Sequence, residues 1–553
     1  MNETAAPPAQ RAPLDAITVE VIGSALASIA EEMGETLVRA AHSTNIKERR
    51  DISTCLFDSK GRTLCQAMHI PMHLGSLIGI VESILERVPA SEIKEGDVFV
   101  GNDAYTGGGT HLPDIVLAEP IFFQGTLVGW ATNTAHHADF VDRGHAHIFQ
   151  EGIRIPPIRL YREGQIVQDV LDLILLNLQV PHERLNDLRA QMAANRQGVL
   201  RFQALCRRYG LNMMLAVEDA LLDYAERLTR AGIKSIPPGV YEFADQFDSE
   251  EIDEILDFKV RIEVKSDEIF IDFEAPPQVR AGFNLVRTGL LATVYYALKT
   301  VIGPDIPPNA GFFRPIHVSA PKGSVLNAVA PAAVNSRVDC GQRVVDLVLG
   351  GLANAIPERV TAAHNGACIY ADFSGIDPRT GQYYVYVETV GGGFGARAAK
   401  DGLDGVHVHL TNTSNLPVEA LETEYPLTIE SYELVNDSGG AGKFRGGMGM
   451  RRRVRSEHDN CRTFIYGART HTAPWGLFGG GPGGMAHFDY VNPGEGPHNA
   501  KARLDKGSCV SIVTPGAGGY GPARKRDKVL VRRDLEEGKI SIAAADSSYG
   551  LET

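Results

Sequence analysis

The chain has 553 residues, 44% of them hydrophobic and 22% charged, and its formal net charge at pH 7 is −14. This length exceeds what one hydrophobic core usually supports, so we expect two or three subdomains with the composition of an ordinary soluble protein. The excess of negative charge argues against nucleic acid or an anionic membrane as the main partner, because both attract basic patches.

The cysteines and the N-terminus indicate the compartment. Seven cysteines are scattered with no Cys-x-x-Cys pair, which is typical of a reducing environment and argues against a disulfide framework. The first residues lack the basic start and apolar stretch of a secretory signal. No apolar run reaches the roughly 18 residues that a membrane-spanning helix needs. We therefore predict a cytoplasmic protein with no membrane partner.

The first predicted element is a long amphipathic helix. Apolar residues recur with helical spacing from Ala16 to Ala41, and Asp15 can cap the start. A strand region follows from Ile46 to Phe57 and contains Asp51. A second helix is predicted over Ser76 to Val88.

Two predicted strands come next, from Asp97 to Gly101 and from Leu127 to Asn133, with Phe123-Gln-Gly-Thr as a hairpin turn signal between two apolar runs. Each strand is linked to a cluster of metal-ligating side chains. The first cluster ends in Thr-His-Leu-Pro-Asp, with His111 and Asp114. The second is Thr-Ala-His-His-Ala-Asp, with His136, His137 and Asp139.

Imidazole with carboxylate is the ligand set expected for Zn²⁺, Mn²⁺ or Fe²⁺. A lone histidine pair in a loop is more often a surface or hydrogen-bonded structural group. Here five ligand-type residues fall in two short clusters separated by a single hairpin. The sequence therefore predicts a divalent transition metal site on strand ends.

The pattern is strongly helical from Val167 to Ala231, with Pro181 and Gly210 as breaks. The composition shifts near residues 237–239, Pro-Pro-Gly, which marks a plausible boundary. Antiparallel strands are predicted over Tyr241 to Phe247 and Ile255 to Phe273, with Lys265-Ser-Asp as a turn.

A further helix is predicted over Leu290 to Ile302, and beyond Gly381 the chain is rich in strands and glycine clusters, which are most simply tight turns. The predicted fold class is α+β, with mixed β-sheets carrying the metal site, a helical middle segment and a β-rich C-terminal part. The predicted divisions are a flexible N-terminus at 1–14, a metal-site region with the helical segment at 15–236, a β-rich region at 237–522 and a C-terminal tail at 523–553.

The glycine clusters do not form a nucleotide site. No Gly-x-x-x-x-Gly-Lys-Ser/Thr loop is present, residues 391–395 lack the strand and helix context of a dinucleotide fold, and there is no Gly-x-Ser-x-Gly elbow. If ATP or NAD is used, we expect it to bind elsewhere or on another subunit.

Several motifs together carry a resemblance that none carries alone. They are Asn102-Asp-Ala-Tyr, Gly-Thr-His111-Leu-Pro-Asp114-Ile, His136-His-Ala-Asp139, Glu151-Gly-Ile-Arg-Ile-Pro-Pro157, Asp305-Ile-Pro-Pro-Asn-Ala-Gly, Glu388-Thr-Val-Gly-Gly-Gly-Phe-Gly-Ala-Arg397, Thr411-Asn-Thr, Pro417-Val-Glu-Ala-Leu-Glu422 and Asp437-Ser-Gly-Gly-Ala-Gly-Lys-Phe-Arg-Gly-Gly. In this order, from about Asp15 to Pro522, the chain resembles the hydantoinase B/oxoprolinase family.

The resemblance implies one component of a two-component enzyme. A separate hydantoinase A-type ATPase subunit would bind ATP and Mg²⁺ and phosphorylate a carbonyl oxygen, and the hydantoinase B-type component would complete the reaction at its metal. A hetero-oligomer such as A2B2 and a small cyclic amide substrate are then expected. The absence of a phosphate loop agrees with this division of labour.

On this account His111, His136 and Asp139 hold the ion, with Asp114 as a fourth ligand or as an orienting group. Asp51 is a candidate from a third segment, and a turn-capping role is about equally plausible for it. His137, His145 and His147 are candidate proton carriers. The stretch after His-His-Ala-Asp, residues 140–147, departs from the glycine-rich pattern of the family, which bears on substrate choice. Weaker candidates for lining the site are Glu388, Arg397, His407 and Asn412.

The function predicted from the sequence is therefore the metal-binding catalytic subunit of an ATP-dependent cyclic amide hydrolase of the hydantoinase, oxoprolinase or lactamase type. Two alternatives stay open. One is a subunit of an ATP-dependent ketone carboxylase of the acetone or acetophenone type. The other is a non-catalytic scaffold with a structural metal, whose site would be closed by four protein ligands.

Overall fold

The computed structural model of the chain describes residues 14–107, 109–137, 145–491 and 501–551. Within these ranges the strands form four β-sheets and the helices pack against them, which confirms the predicted mixture of helices and several sheets. None of the helices in this part of the chain combines the length and apolar character that crossing a membrane requires. Residues 1–13 of the predicted N-terminal segment lie outside the described ranges.

The first helix begins where the sequence predicts, and Asp15 caps it by accepting hydrogen bonds from the backbone N–H groups of Ile17 and Thr18. The prediction of a strand from Ile46 is wrong. Residues 44–47 form a helical turn, and Arg50 has a left-handed φ of 55°, so the extended chain starts only at Ile52. The elements in order are α1 Ala16–Ala40, α2 Thr44–Lys47, β1 Ile52–Asp58, β2 Thr63–Gln66, α3 His73–Arg87, β3 Val98–Gly101, β4 Asp114–Phe123, β5 Thr126–His136, β6 Ile158–Arg162 and β7 Gln165–Ile166.

These seven strands form one antiparallel sheet in the order β2-β1-β5-β4-β3-β6-β7. The predicted hairpin is β4 and β5. Its two turn residues, Gln124 and Gly125, have φ values of 51° and 76°, the left-handed conformations that tight two-residue hairpin turns need. The hairpin therefore fixes the register of the two strands.

The middle of the chain is helical, with breaks where the sequence predicts them: Pro181 is the first residue of one helix, and Gly210 separates that helix from the next. The elements that follow the first sheet are α4 Gln168–Leu176, α5 Pro181–Tyr209, α6 Leu211–Lys234, β8 Gly239–Phe247, β9 Leu256–Lys265, β10 Glu268–Glu274, α7 Arg287–Ile302, α8 Ala310–Phe313, β11 Ile316–Ser319 and α9 Arg337–Leu352.

The seven-stranded sheet is covered on both faces. Leu56 on β1 packs into the core shared with α1 and α5, while its neighbours Cys55 and Phe57 face the core shared with α3. Since alternate strand residues point to opposite faces, burial of every β1 residue is the expected result of this double cover. The sheet is thus a rigid base for groups at its edge.

The second sheet has the order β11-β10-β9-β8, and its β9–β10 turn at Ser266 confirms the predicted turn. Helix α9 packs against β8 and β9, and every residue from Asp339 to Leu352 is buried. The sequence did not predict this helix. Charged residues in it, Asp339, Arg343 and Asp346, are themselves buried, so they do not mark an exposed face of the helix.

The C-terminal part contains the other two sheets, in the orders β13-β12-β16-β18 and β14-β15-β19-β17. Its glycines permit close backbone packing more than tight turning: a Cβ on Gly393 would lie 2.2 Å from the carbonyl oxygen of Gly447. The predicted domain divisions stay predictions. The elements are β12 Ile369–Ile376, β13 Tyr383–Val390, α10 Val418–Glu424, β14 Leu427–Leu434, β15 Met450–Ser456, β16 Cys461–Tyr466, β17 His487–Val491, β18 Lys501–Leu504, β19 Cys509–Val513, α11 Lys528–Glu536 and α12 Ile542–Ser547.

Candidate metal centre

Three potential ligands converge at one edge of the seven-stranded sheet. Asp114 is the first residue of β4 and His136 the last residue of β5, and the two are directly paired in the antiparallel register. Asp51 immediately precedes the neighbouring strand β1, and its carbonyl oxygen accepts a hydrogen bond of 3.0 Å from the backbone N–H of His136. His136 thus lies at a strand end, as the sequence predicts. Asp114 instead begins β4 rather than following β3, and Asp51, predicted inside a strand, precedes β1.

His111 comes from the loop that leads into β4. The N–H of Asp114 donates to the carbonyl oxygen of His111 at 3.3 Å, so the loop turns back on the strand. One ligand atom each from His111, Asp114 and His136 lie within 4.8 Å of one another, and all three residues are buried. Such a set of two imidazoles and one carboxylate suits a divalent transition metal.

The two oxygens of Asp114 have different neighbours. Oδ2 accepts hydrogen bonds from Arg337 Nη2 at 2.8 Å and from Ser76 Oγ at 3.3 Å. Oδ1 faces the imidazoles, 3.0 Å from His111 Nε2 and 3.4 Å from His73 Nε2. The arginine therefore fixes the carboxylate so that Oδ1 is directed at the histidines.

The far side of each histidine is also held in place. His111 Nδ1 lies 3.1 Å from both the backbone carbonyl and the side-chain Oδ1 of Asn335. Because both partners are oxygen acceptors, Nδ1 carries the proton and the lone pair is on Nε2, the nitrogen that faces Asp114. The Asn45 amide lies 3.1 Å from His136 Nδ1 and 3.4 Å from its carbonyl oxygen. Such outer contacts set the orientation of metal ligands.

His73 is a site residue that the sequence did not suggest. It is the first residue of α3, and its Nε2 lies 3.5 Å from Asp51 Oδ1 as well as near Asp114. A cavity of about 60 Å³ is bordered by His73, Asp51, His111 and His136. A lone histidine at a helix start gives no local signal for such a role; only the tertiary fold brings it to the sheet edge.

Burial and charge set the protonation of the cluster. Burial raises the pKa of Asp114, but His111, His73 and Arg337 outweigh it and hold that pKa well below its ordinary value. Burial lowers the pKa of His111 to about 4, with Arg337 adding to the effect. For His73 burial is outweighed by the carboxylates of Asp114 and Asp51, and its pKa is raised. At neutral pH the site therefore offers an anionic carboxylate and a neutral imidazole.

The arrangement fits a metal ion for one further reason. His111 Nε2 and Asp114 Oδ1 are buried, and although 3.0 Å apart they make no hydrogen bond of acceptable geometry within the described part of the chain. Buried polar atoms without a hydrogen bond are costly. A cation bound between the two would satisfy both.

The other predicted site residues lie apart from this cluster or outside the description. Asp139 lies outside the described residues. His137 is fully buried, with Nε2 3.0 Å from Gln191 Oε1. His147 forms a bridge with Ala332, and His145 precedes it in the same segment. None of these three histidines is among the described residues that border the small cavity; their role as proton carriers stays a prediction.

The buried His137 makes stability dependent on pH. Burial lowers its pKa to about 4, against about 6.5 in an unfolded chain. Between these values only the unfolded chain binds the proton, so the free energy of unfolding falls as pH drops below about 6.5. At pH 5 this single group costs about 2 kcal/mol. We expect His137→Gln to lose correspondingly less stability than the wild type between pH 7 and pH 5 in urea unfolding. His317→Gln, at an exposed site, is the control; an unchanged pH dependence in His137→Gln would contradict the assignment.

A second, larger cavity of about 370 Å³ adjoins the metal centre. Ile70 and Thr411 border both cavities. The larger one is mostly apolar, and its polar members include His69, His407, His409 and Lys299. This size and lining suit a small organic ligand.

The weaker candidates from the sequence divide between two settings. His407 and Asn412 border the larger cavity. Glu388 is instead buried in an ion pair with Arg452, and Arg397 donates to the backbone oxygen of Asp401. His407 and Asn412 therefore lie near the metal centre, whereas Glu388 and Arg397 contact residues elsewhere in the C-terminal part.

Known proteins resemble this chain over nearly its whole length. A family model described as hydantoinase B/oxoprolinase matches residues 15–523. The B component of a putative D-/L-hydantoinase from Pseudomonas sp. (strain NS671) is 31% identical over 97% of this chain and 95% of its own. The beta component of a caprolactamase from Pseudomonas jessenii is 33% identical over 97% of this chain and 96% of its own.

Two solved structures share the fold. The crystal structure of an ATP-dependent caprolactamase from Pseudomonas jessenii superposes with a TM-score of 0.89 at 31% identity, covering 98% of this chain and 97% of that one. A nucleotide-free structure of acetone carboxylase also superposes with a TM-score of 0.89, at 18% identity, covering 97% of this chain and 79% of that one.

Proposed function

The chain belongs to the hydantoinase B/oxoprolinase family, and from that premise we propose that it is the metal-binding catalytic subunit of an ATP-dependent cyclic amide hydrolase. The observation that carries the proposal is the buried cluster of His111, Asp114 and His136 beside an apolar cavity. Relatives named as the B or beta component of their enzymes support a partner. That partner is a hydantoinase A-type ATPase subunit, which binds ATP and Mg²⁺, in a hetero-oligomer such as A2B2.

The chemistry explains why two components are needed. A cyclic amide resists attack because resonance makes its carbonyl carbon a poor electrophile. Transfer of a phosphoryl group from ATP to the carbonyl oxygen activates that carbon. Water then adds, the carbon–nitrogen bond breaks with a proton taken up by the ring nitrogen, and a second water hydrolyses the resulting acyl phosphate to carboxylate and phosphate.

The residues of this chain provide the surroundings for these steps. When bound by His111, Asp114 and His136, with Asp51 and Asp139 as further proposed donors, a divalent transition metal (Zn²⁺, Mn²⁺ or Fe²⁺) supplies Lewis-acid activation of water near neutral pH. His73 and Asp51, 3.5 Å apart at the small cavity, hold and pass the proton that water releases. Arg337 keeps Asp114 ionised and oriented.

The charges at the small cavity favour an anionic substrate. The charged groups at and next to the cavity are two guanidinium groups, from Arg49 and Arg337, and three carboxylates, from Asp51, Asp114 and Asp339. These five side chains together carry a charge of −1, and a divalent ion changes it to +1. A phosphorylated amide is an anion, so it is attracted to the metal-loaded site more strongly than the neutral amide.

The alternative function is a subunit of an ATP-dependent ketone carboxylase. The observation in its favour is the fold it shares with acetone carboxylase. At 18% identity this likeness supports a shared fold and nothing more. In both reactions ATP activates an oxygen of a substrate. The two functions therefore differ in their second substrate, which is water for ring opening and bicarbonate for carboxylation.

The isolated chain is expected to neither bind nor hydrolyse ATP, because its sequence lacks a phosphate loop. Together with its ATPase partner it should couple ATP cleavage to the opening of a hydantoin, oxoproline or lactam without bicarbonate. Calorimetry on the isolated chain tests for ATP binding. ADP release by the assembled enzyme tests for ring opening coupled to ATP cleavage. Stoichiometric ATP binding by the isolated chain would contradict the expectation that it does not bind ATP. ATP turnover with a ketone only when bicarbonate is present, and none with any cyclic amide, would favour the carboxylase.

A further inference from the structure

A second group of potential metal ligands lies outside the centre described above. Asp346 on α9, His364 and His409 are all buried, and one ligand atom from each lies within 4.8 Å of the others. Asp346 Oδ1 is 3.0 Å from His364 Nδ1 and 3.1 Å from His409 Nε2. Adjacent donors around a tetrahedral ion with bonds of about 2.0 Å are roughly 3.3 Å apart. The three atoms are therefore close to a ligating arrangement.

The charges around Asp346 leave an excess of negative charge. Three aspartates, Asp245, Asp248 and Asp346, form ion pairs with only two arginines, Arg343 and Arg469, at distances of 3.4 to 3.8 Å. The carboxylates thus outnumber the guanidinium groups by one, and buried charges are normally paired or bound to metal.

The backbone around Asp346 is strained in two places. His409 and Arg469, the residues that contact the two oxygens of its carboxylate, have left-handed φ values of 50° and 68°. Non-glycine residues persist in this conformation only where the surroundings enforce it, and they concentrate at functional sites. The surrounding structure therefore enforces the conformations of the two residues that contact the carboxylate.

From these observations we infer that Asp346, His364 and His409 form a second site for a divalent transition metal. Two imidazoles and a carboxylate are the donors that Zn²⁺, Co²⁺, Mn²⁺ and Fe²⁺ accept. Asp346 lies nine residues after Arg337 on the same helix, roughly 14 Å along its axis at 1.5 Å per residue. His409 borders the larger cavity, which gives the ion an open side.

Metal content tests this inference directly, and it does not depend on the proposed function. The full-length chain, with any partner that copurifies, is equilibrated with excess Co²⁺, desalted and analysed for metal. Wild type should retain two equivalents, His364→Ala one, His136→Ala one and the double variant none. His317→Ala, at an exposed position, should retain two. One equivalent in wild type that His136→Ala loses and His364→Ala keeps, or two in folded His364→Ala, would overturn the second site.

A second variant guards against a folding defect. Asp346→Asn keeps an oxygen that accepts hydrogen bonds from both imidazoles but removes the charge a metal needs. If the cluster is only hydrogen-bonded, this variant keeps the wild-type metal content, and the inference fails. If the cluster binds metal, the variant loses one equivalent and the Co²⁺ visible absorption that this equivalent contributes. Loss of metal in His136→Ala alone reports on the first centre and leaves the second untouched.

Discussion

Replacing His136 with alanine is expected to release most of the metal from the centre at the sheet edge and to abolish ring opening, while the chain stays folded. His136 is one of three converging donors and sits opposite Asp114 at the end of the hairpin. Loss of even an outer contact typically lowers metal affinity 10–100-fold, so loss of a ligand should cost more. Elemental analysis and ADP release by the assembled enzyme measure the two effects.

The same variant tests the scaffold alternative. If the metal is purely structural, His136→Ala should lower the melting temperature strongly, because binding energy at a structural site is folding energy. If the metal is catalytic, circular dichroism and the melting temperature should change little while activity disappears. His317→Ala is the control, since its side chain is 43% exposed and belongs to neither cluster of potential ligands. An unchanged metal content at the first centre in His136→Ala would contradict the assignment of His136 as a ligand.

Replacing Arg452 with methionine is expected to destabilise the C-terminal part by about 3–5 kcal/mol, the usual cost of leaving one partner of a buried ion pair alone. Arg452 Nε lies 2.6 Å from Glu388 Oε1, and both side chains are fully buried. Tyr386 and Asn415 also donate to Glu388, but neither carries a charge. Chemical denaturation followed by fluorescence gives the change in the free energy of unfolding.

A double variant separates charge from packing. Glu388→Gln keeps an acceptor for Tyr386 and removes the charge, so Arg452→Met combined with Glu388→Gln should recover much of the lost stability. A double variant no more stable than Arg452→Met would show that packing of the arginine, for example on the ring of Tyr432 at 4.5 Å, dominates. The interaction energy of the pair follows from the four free energies.

The part of the site that could be predicted from the sequence is the part that one hairpin builds. His111, Asp114 and His136 flank two apolar runs joined by a turn signal, so local pattern alone places them together. The cap at Asp15 and the helix breaks at Pro181 and Gly210 are local for the same reason. In each case the deciding interaction lies within a few residues or one turn.

What could not be predicted depends on distant contacts. Asn335 and Arg337 reach the centre from more than 200 positions away, and His73 arrives with α3; nothing next to them in the sequence reports this. Helix α9 was missed because it is buried all round, including charged residues that usually mark an exposed face. The second cluster likewise assembles one helical residue and two loop residues whose spacing matches no short motif.

The register of the hairpin also has a consequence for folding order. Asp114 and His136 are joined by a single tight turn, and contacts so local in sequence form in microseconds, well before the long-range ones that bring α3 and α9 to the sheet edge. Two donors are therefore in place before the cavity closes over them. A metal that binds while the edge is still open would select the native register of β4 and β5, since a slip by one residue would turn one of the two side chains away to the other face.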